Sequence, residues 1–479
     1  MSTFSKGLLP IGLLATGIVI GWLPLLAPYI LVADDYPQSG HSFLAAGLTL
    51  KSIGIWRFVG FAFVKWMLNA GAFVAPVVVL ATHILTAVLF YLTSRQGRVP
   101  QWVSLQAGLL FGLCPFAFEA MTFAAAAPII LATGLFLLSL VVSASPSSAA
   151  RPLAHFSALM LLAFVANLFQ ENLLFAFLLV PLWPSIIQSS RTGRWIGFTQ
   201  AARQLYPSVL GSWMGVAIFL VTYKSFPGDH PLKHVAFNWH VLFSSVIYQG
   251  TGLFTLEPFI RTQTYCVLRD FYWPILAPGA AVALTIFAVL LIKLRKCGPG
   301  PYAEKRVLIL MIAWWITVVF FTGAIMVFAG GMSLDTRKAY PFLPSLVSIG
   351  VLALPLLSSP RVQQRLLNPA LFGILAIFCV SAWLIIGIWR VEARRGQRLV
   401  SFILANHISG QIELVVKDAP TAGLKWFPLK LSFRPEDEWV INAALNKQET
   451  IEEKKSSSAE LLIYADGKWG RCGAGILPH

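Results

Sequence analysis

Charge is what this chain has least of. Asp, Glu, Lys and Arg make up 12% of its 479 residues, about half the roughly 25% of an average soluble domain. Acids are scarcer than bases, 20 against 36, so the net charge is +16. Apolar side chains fill 57% of the chain and the mean hydropathy is +0.73. That excludes disorder, because such a composition cannot stay solvated, and it excludes a string of ordinary soluble domains. Five cysteines fall at no metal-ligand spacing, and Cys114 and Cys379 lie inside apolar runs. Cys266 and Cys472 would share the side assigned below as the outer one, where a disulfide between them or two unpaired thiols are both open. No phosphate-cradling glycine loop, dinucleotide fingerprint, nucleophile elbow or zinc motif occurs. ATP-driven transport and soluble-nucleotide chemistry are thereby disfavoured.

What is present is length of apolar sequence. A membrane span needs about 20 apolar residues, and candidates fall near 8–32, 73–93, 102–118, 128–144, 153–170, 172–188, 206–223, 272–292, 307–329, 341–357 and 369–389. The first follows only Lys6 and is too long for a signal-peptide core, so it reads as a retained anchor. About eleven transmembrane helices form the body. With the N-terminus inside, the short inner segments hold fourteen Lys and Arg against one acid, Glu304, whereas the outer loops hold nine cations and eight acids. The basic bias places the N-terminus in the cytoplasm and the C-terminus outside. The positive charge flanks membrane spans, so no nucleic-acid partner is expected.

Two outer segments, 33–72 and 224–271, mix aromatic and basic residues at helical spacing, as in Trp56, Arg57, Phe61, Lys65 and Trp66. They read as interfacial amphipathic helices. From about residue 391 the composition becomes soluble-like and nearly balanced in charge. Alternating runs at Gln411–Val416 and Leu461–Tyr464 predict strands, and hence a small mixed α/β periplasmic domain over 391–479 behind a body over 1–390.

Chemistry concentrates in few places. Asp34 and Asp35 follow the first span directly, at a boundary where an ionised group must be solvated or paired. They read either as solvated interfacial acids or as a general base or metal ligand facing a substrate held at headgroup depth. Such depth suits a leaving group attached to a lipid. Arg57 with Lys65, and Arg337-Lys338 beside Tyr340, could hold a lipid phosphate through charge-assisted hydrogen bonds, or could simply attract anionic headgroups. Glu119 and the Gln170-Glu171 pair are polar groups between apolar stretches, functional candidates by that placement unless they are hairpin tips that reach water. His234 and His240 read as ordinary interfacial residues.

The order Asp34-Asp35-Tyr36, Trp56-Arg57, Cys114-Pro115-Phe116-Ala117-Phe118-Glu119, Phe169-Gln170 and Asp335-Thr336-Arg337-Lys338-Ala339-Tyr340 resembles the GT-C superfamily of lipid-linked-sugar glycosyltransferases. Within it, the pattern is most like the bacterial serotype-converting O-antigen glucosyltransferases. The resemblance covers residues 8–390. It departs in that no glycine precedes Arg57 and Phe169 stands where a Tyr would be expected before the Gln. It implies a GT-C-like fold in the bacterial inner membrane and a polyprenyl-phosphate sugar donor. It also implies a periplasmic glycan, lipid or protein acceptor, and inverting transfer of a hexose such as glucose. Asp34 or Asp35 would be the base, Arg57, Arg337 and Lys338 with Tyr340 the donor-phosphate group, and Glu119, Gln170 and Glu171 the substrate-orienting set. A divalent cation, Mg or Mn, is possible. Two alternatives remain beside it: a lipid-linked-sugar flippase or transporter, and an O-antigen polymerase or ligase leaning on Arg261, Arg269 and His240.

Overall fold

Apolar runs bounded by prolines and polar residues form the helices seen in the computed structural model. It describes residues 3–29, 55–97, 99–114, 117–145, 151–192, 198–225, 292, 303–328, 340–357, 368–407, 412–416, 460–465 and 468–471. The α-helices are α1 (Thr3–Gly21), α2 (Ile55–Asn69), α3 (Val74–Gln96), α4 (Gln101–Leu113), α5 (Phe118–Thr122), α6 (Ala127–Ser143), α7 (Pro152–Phe169), α8 (Leu182–Thr192), α9 (Phe198–Ser225), α10 (Ala303–Phe328), α11 (Leu343–Leu357) and α12 (Asn368–Ala405). Pro128 and Pro152 open α6 and α7, where a missing N–H costs nothing and φ is already helical. Strands β1 (Ile412–Val416), β2 (Glu460–Ala465) and β3 (Lys468–Arg471) form one sheet in that order, β1 parallel to β2 and β2 antiparallel to β3. The first two coincide with the alternating runs noted above.

Among the described residues, four helical stretches are long and apolar enough to cross a membrane: Val74–Gln96, Ala124–Ser143, Pro152–Phe169 and Tyr206–Tyr223. Shorter apolar stretches lie in α1, α10, α11 and α12 and across Ala176–Gln188. Four expected spans differ. The run at 8–32 is helical only as far as Gly21, after which Leu23–Leu25 forms a 3-10 turn. The run at 102–118 is a helix of 13 residues, about 20 Å at 1.5 Å per residue, short of the roughly 30 Å hydrocarbon core. The run at 172–188 is broken: 3-10 turns at Glu171–Leu173 and Ala176–Leu179 precede α8. There polar Glu171 and Asn172 and the rigid Pro181 oppose a continuous α-helix. The last helix runs past residue 390 to Ala405. Its buried residues Ala393, Leu399, Val400 and Ile403 keep helical spacing, while Arg394, Gln397, Arg398 and Ser401 are exposed. The span at 272–292 lies outside the described residues except for Ile292, as do the interfacial segments 33–54 and 226–271 and the cysteines 266, 297 and 472.

Small residues set how closely the helices approach. Gly17 and Gly21 of α1 face Leu109 and Leu113 of α4, while Gly108 and Gly112 of α4 face Leu14 and Ile18 of α1. Two G-x-x-x-G notches thus receive each other's knobs, the small-residue packing that replaces hydrophobic drive inside a bilayer. Both series rise together, so α1 and α4 are parallel. Gly211 and Gly215 of α9 lie against the backbone of Phe156 and Met160 of α7 in the same parallel sense, and the His155 Nε2 to Ser208 Oγ bond of 3.0 Å continues the register. Helix α3 is antiparallel to α4, through His83–Gly112 and Tyr91–Gly108. It is parallel to α6, through Thr86–Ile130 and Gln96–Val141.

The deepest aromatic packing joins α8 to α10. The Trp183 and Trp314 rings lie 4.8 Å apart, as do those of Trp314 and Trp315. Phe136 and Phe90 flank the group, and the Trp314 indole donates to the Leu179 carbonyl. This satisfies a polar handle that apolar burial would otherwise penalise. Helix α12 returns to α1: Trp383 Nε1 donates to the Ile20 carbonyl at 3.1 Å, and the Arg390 guanidinium donates to the Pro24 carbonyl. These contacts also rise together, so α1 and α12 are parallel. On a cysteine-free background, Gln101→Cys and His407→Cys are accordingly expected on opposite faces of the membrane. Labelling of both by one impermeant reagent on intact cells would refute this.

Candidate functional site

Where α1 ends, Leu23–Leu25 turns the chain as a 3-10 helix and Tyr29 pins it. The Tyr29 backbone N–H donates to the Ala72 carbonyl at 2.7 Å, just ahead of α3. Its hydroxyl donates to the Thr122 carbonyl at 3.1 Å and accepts from the Ala124 N–H at 2.7 Å. One phenol thus ties the chain leading to the aspartates onto the turn that follows Glu119. Asp34 and Asp35 themselves lie outside the described residues. Glu119 occupies α5, one turn before the clasped Thr122.

The same end of the bundle receives α2. A Cβ at Gly60 would stand 3.0 Å from the Phe169 carbonyl oxygen and 3.4 Å from Pro128. The Phe63 ring meets Phe169 edge-on at 5.8 Å. Any larger residue would push α2 back from the end of α7 by a few tenths of an ångström. Arg57 is one turn ahead of Gly60 in α2, the helix that meets the end of α7 just before Gln170 and Glu171. That segment is shaped by the helix stop: Gln170 is extended (φ −161°, ψ 126°) and its N–H still closes onto Ala166. Glu171 then opens a 3-10 turn and is 4% exposed. The structure therefore brings the helix bearing Arg57, the turn after Glu119 and the segment before Gln170-Glu171 to one end, together with Tyr29.

Tyr340 has a different place from an open phosphate site. It is fully buried, and its hydroxyl lies 2.6 Å from His83 Nδ1. The other ring nitrogen, His83 Nε2, lies 2.9 Å from the Gly112 carbonyl oxygen, which also accepts the Trp22 indole N–H at 2.7 Å. A carbonyl only accepts, so His83 Nε2 is the N–H donor. In the neutral ring Nδ1 then accepts from the Tyr340 O–H. Phe111 packs beside both rings, at 5.5 Å from His83 and 5.6 Å from Tyr340. In this position Tyr340 anchors the chain following Arg337 and Lys338, which lie outside the described residues, and does not itself reach an open surface.

Tyr29, His83 and Trp22 were not singled out by sequence reasoning. For His83 the available signal is a lone imidazole in an apolar helix. Tyr29 offers only its position five residues before an acid pair. Among the described residues no three of His, Cys, Asp and Glu come together as a metal would require. Removing the Tyr29 hydroxyl strands a part-buried N–H and carbonyl. Tyr29→Phe should therefore lose about 1–2 kcal/mol of stability, read as a lowered melting temperature in detergent. An unchanged melt would mean that the clasp contributes nothing.

No family model and no curated protein matches the chain. Among solved structures, it is similar to the crystal structure of ArnT from Cupriavidus metallidurans bound to undecaprenyl phosphate, at 13% sequence identity and a TM-score of 0.42, over 97% of this chain and 94% of that one.

Proposed function

We propose that this protein is a GT-C-type membrane glycosyltransferase. It moves a hexose, with glucose the first candidate, from a polyprenyl-phosphate donor to a hydroxyl of an O-antigen or other surface glycan on the periplasmic face of the bacterial inner membrane. The observation that carries the reading is the convergence at one bundle end. Tyr29 ties the chain entering Asp34-Asp35 to the turn after Glu119, and Gly60 seats the helix bearing Arg57 on the carbonyl next to Gln170-Glu171.

In the proposed reaction the Asp34 or Asp35 carboxylate takes the proton of the acceptor hydroxyl. The freed oxygen attacks the anomeric carbon from the face opposite the phosphate. The carbon–oxygen bond to the phosphate breaks, polyprenyl phosphate leaves, and the configuration inverts. Arg57, Arg337 and Lys338 stabilise the charge that develops on the departing phosphate, in surroundings where the effective dielectric is below that of water. Glu119, Gln170 and Glu171 orient sugar hydroxyls. If a Mg or Mn ion takes part, the adjacent aspartates suit it, since such ions take one or two carboxylates plus substrate phosphate.

The test is release of polyprenyl phosphate by the purified protein from a panel of short-chain polyprenyl-phosphate hexoses, with envelope extract as acceptor. Acceptor-dependent release supports the reading. Saturable donor binding with no release sinks it. One observation favours a second reading, a lipid-linked-sugar flippase: the broken segment after α7 carries the buried Glu171, and interrupted helices often form transport sites. A fluorescent donor crossing proteoliposomes without cleavage would select it. A polymerase or ligase would instead lose activity on changing Arg261, Arg269 or His240, with the aspartates dispensable.

A further inference from the structure

Helix α12 carries one exposed stripe whose chemistry changes once along its length. Ile377, Val380, Leu384 and Val391 are all exposed, and their spacing of three, four and seven residues keeps them on one face. A continuous exposed apolar face on such a helix marks contact with membrane lipid. The next two positions of the same stripe are Arg394 and Arg398, both exposed. The buried face shows no such change and continues to Ile403.

The change falls at headgroup depth. Asn368–Leu384 is the apolar part of α12, and at 1.5 Å per residue Arg394 stands about 39 Å along the axis from Asn368. A bilayer measures about 40–45 Å with both headgroup layers included. Arg390, one turn before Arg394, donates to the Pro24 carbonyl just past the end of α1, so both helices leave the membrane at this level. The charges of Arg390 and Arg394 are close enough to repel, and neither makes an ion pair among the described residues. The only acid in the sequence from 390 to 405 is Glu392, two positions from Arg394 and so about 200° round the helix from it. Adjacent cations without a counter-charge favour an anion beside them.

We infer that Arg394 and Arg398, with Arg390 beside them, form a seat for the phosphate of an anionic phospholipid in the leaflet at the Pro24 end of α12. The occupant is a lipid because the seat continues the face that meets acyl chains. A molecule with its tails along Leu384 and Val391 places its phosphate at the arginines, whose guanidinium forks suit phosphate oxygens. Bound there, it neutralises the repelling pair and fixes the depth of α12. None of this depends on the transferase reading.

The test uses the full chain in vesicles of phosphatidylcholine with a minor share of phosphatidylglycerol. Native mass spectrometry after mild detergent extraction counts the lipids retained. Wild-type protein is expected to hold phosphatidylglycerol above its share in the vesicle. Arg394→Gln should lower that enrichment about fivefold, the contribution of one cation near a membrane surface, and Arg394→Gln/Arg398→Gln should lower it further. Both side chains are exposed, so the variants should fold. Arg151→Gln removes an exposed arginine at the start of α7 and should leave the enrichment unchanged. An equal loss in Arg151→Gln would show general attraction by net charge and overturn the seat, as would wild-type enrichment in the double variant. Polyprenyl phosphate added at the same share should leave the phosphatidylglycerol bound. Its displacement would make the arginines part of a donor site and overturn the phospholipid assignment.

Discussion

Replacing Asp34 and Asp35 together by Asn is expected to lower sugar transfer by about a hundred- to ten-thousandfold, the usual contribution of a positioned general base. The donor KM should stay near wild type. The amide is nearly isosteric but cannot take a proton, so the loss belongs in kcat. Each single variant tells which carboxylate acts: the base shows the full loss, and its neighbour a smaller one through altered charge and solvation. The measurement is initial-rate release of polyprenyl phosphate from folded, purified variants. Wild-type rates in the double variant would end the assignment of the base to this pair. Glu119 and Glu171, which converge on the same bundle end, would then be the carboxylates to replace by Gln.

The second large effect concerns packing. Gly215→Leu is expected to destabilise the protein by about 3 kcal/mol, the upper part of the range for overpacked cores. The reason is what the new side chain would meet. A Cβ at residue 215 points at the Met160 carbonyl oxygen of α7, with Ala163 Cβ at 2.8 Å. Its neighbour in the same notch, Gly211, would meet the Phe156 carbonyl oxygen at 2.7 Å. These obstacles are backbone, so no rotamer change relieves them and α9 must move away from α7. Because α7 ends at Phe169, just before Gln170 and Glu171, the shift should also reduce transfer. Gly373→Leu is the control, since nothing stands within 4 Å of a Cβ there. It should melt within about 1 kcal/mol of wild type. Equal melting of the two variants would refute the close-packing account of the α7–α9 pair.

Helices announced by a single property were legible in the sequence. The runs that became α3, α6 and α7 are long, apolar and bounded by proline or polar residues, and each lies within a few residues of its expected position. The segment at 172–188 was not legible, because average hydropathy ignores how Glu171, Asn172 and Pro181 break the backbone pattern. The end of α12 was missed for the opposite reason. Its arginines look like soluble sequence, whereas the spacing of Ala393, Leu399, Val400 and Ile403 continues a helix with one buried face. The three glycine pairs at Gly17/Gly21, Gly108/Gly112 and Gly211/Gly215 were not singled out in the sequence, and only the packing shows that they mark where helices touch. For the candidate site, residue type alone drew attention to Arg57, Glu119, Gln170 and Glu171. Tyr29 and His83 act through partners 29 to 257 residues away, and no local pattern encodes such partners.

The pairing of α1 with α12 bears on how the molecule is made. During synthesis α1 reaches the membrane early, yet the groups that bind the carbonyls of Ile20 and Pro24 belong to Trp383 and Arg390, 363 and 366 residues further along. Until those residues leave the ribosome, that edge of α1 has only lipid, water or a chaperone against it. The bundle therefore closes in an order set by translation, with an early helix waiting for a late one. A nascent chain stopped before residue 383 would hold nearly every helix of the body and still lack its seam.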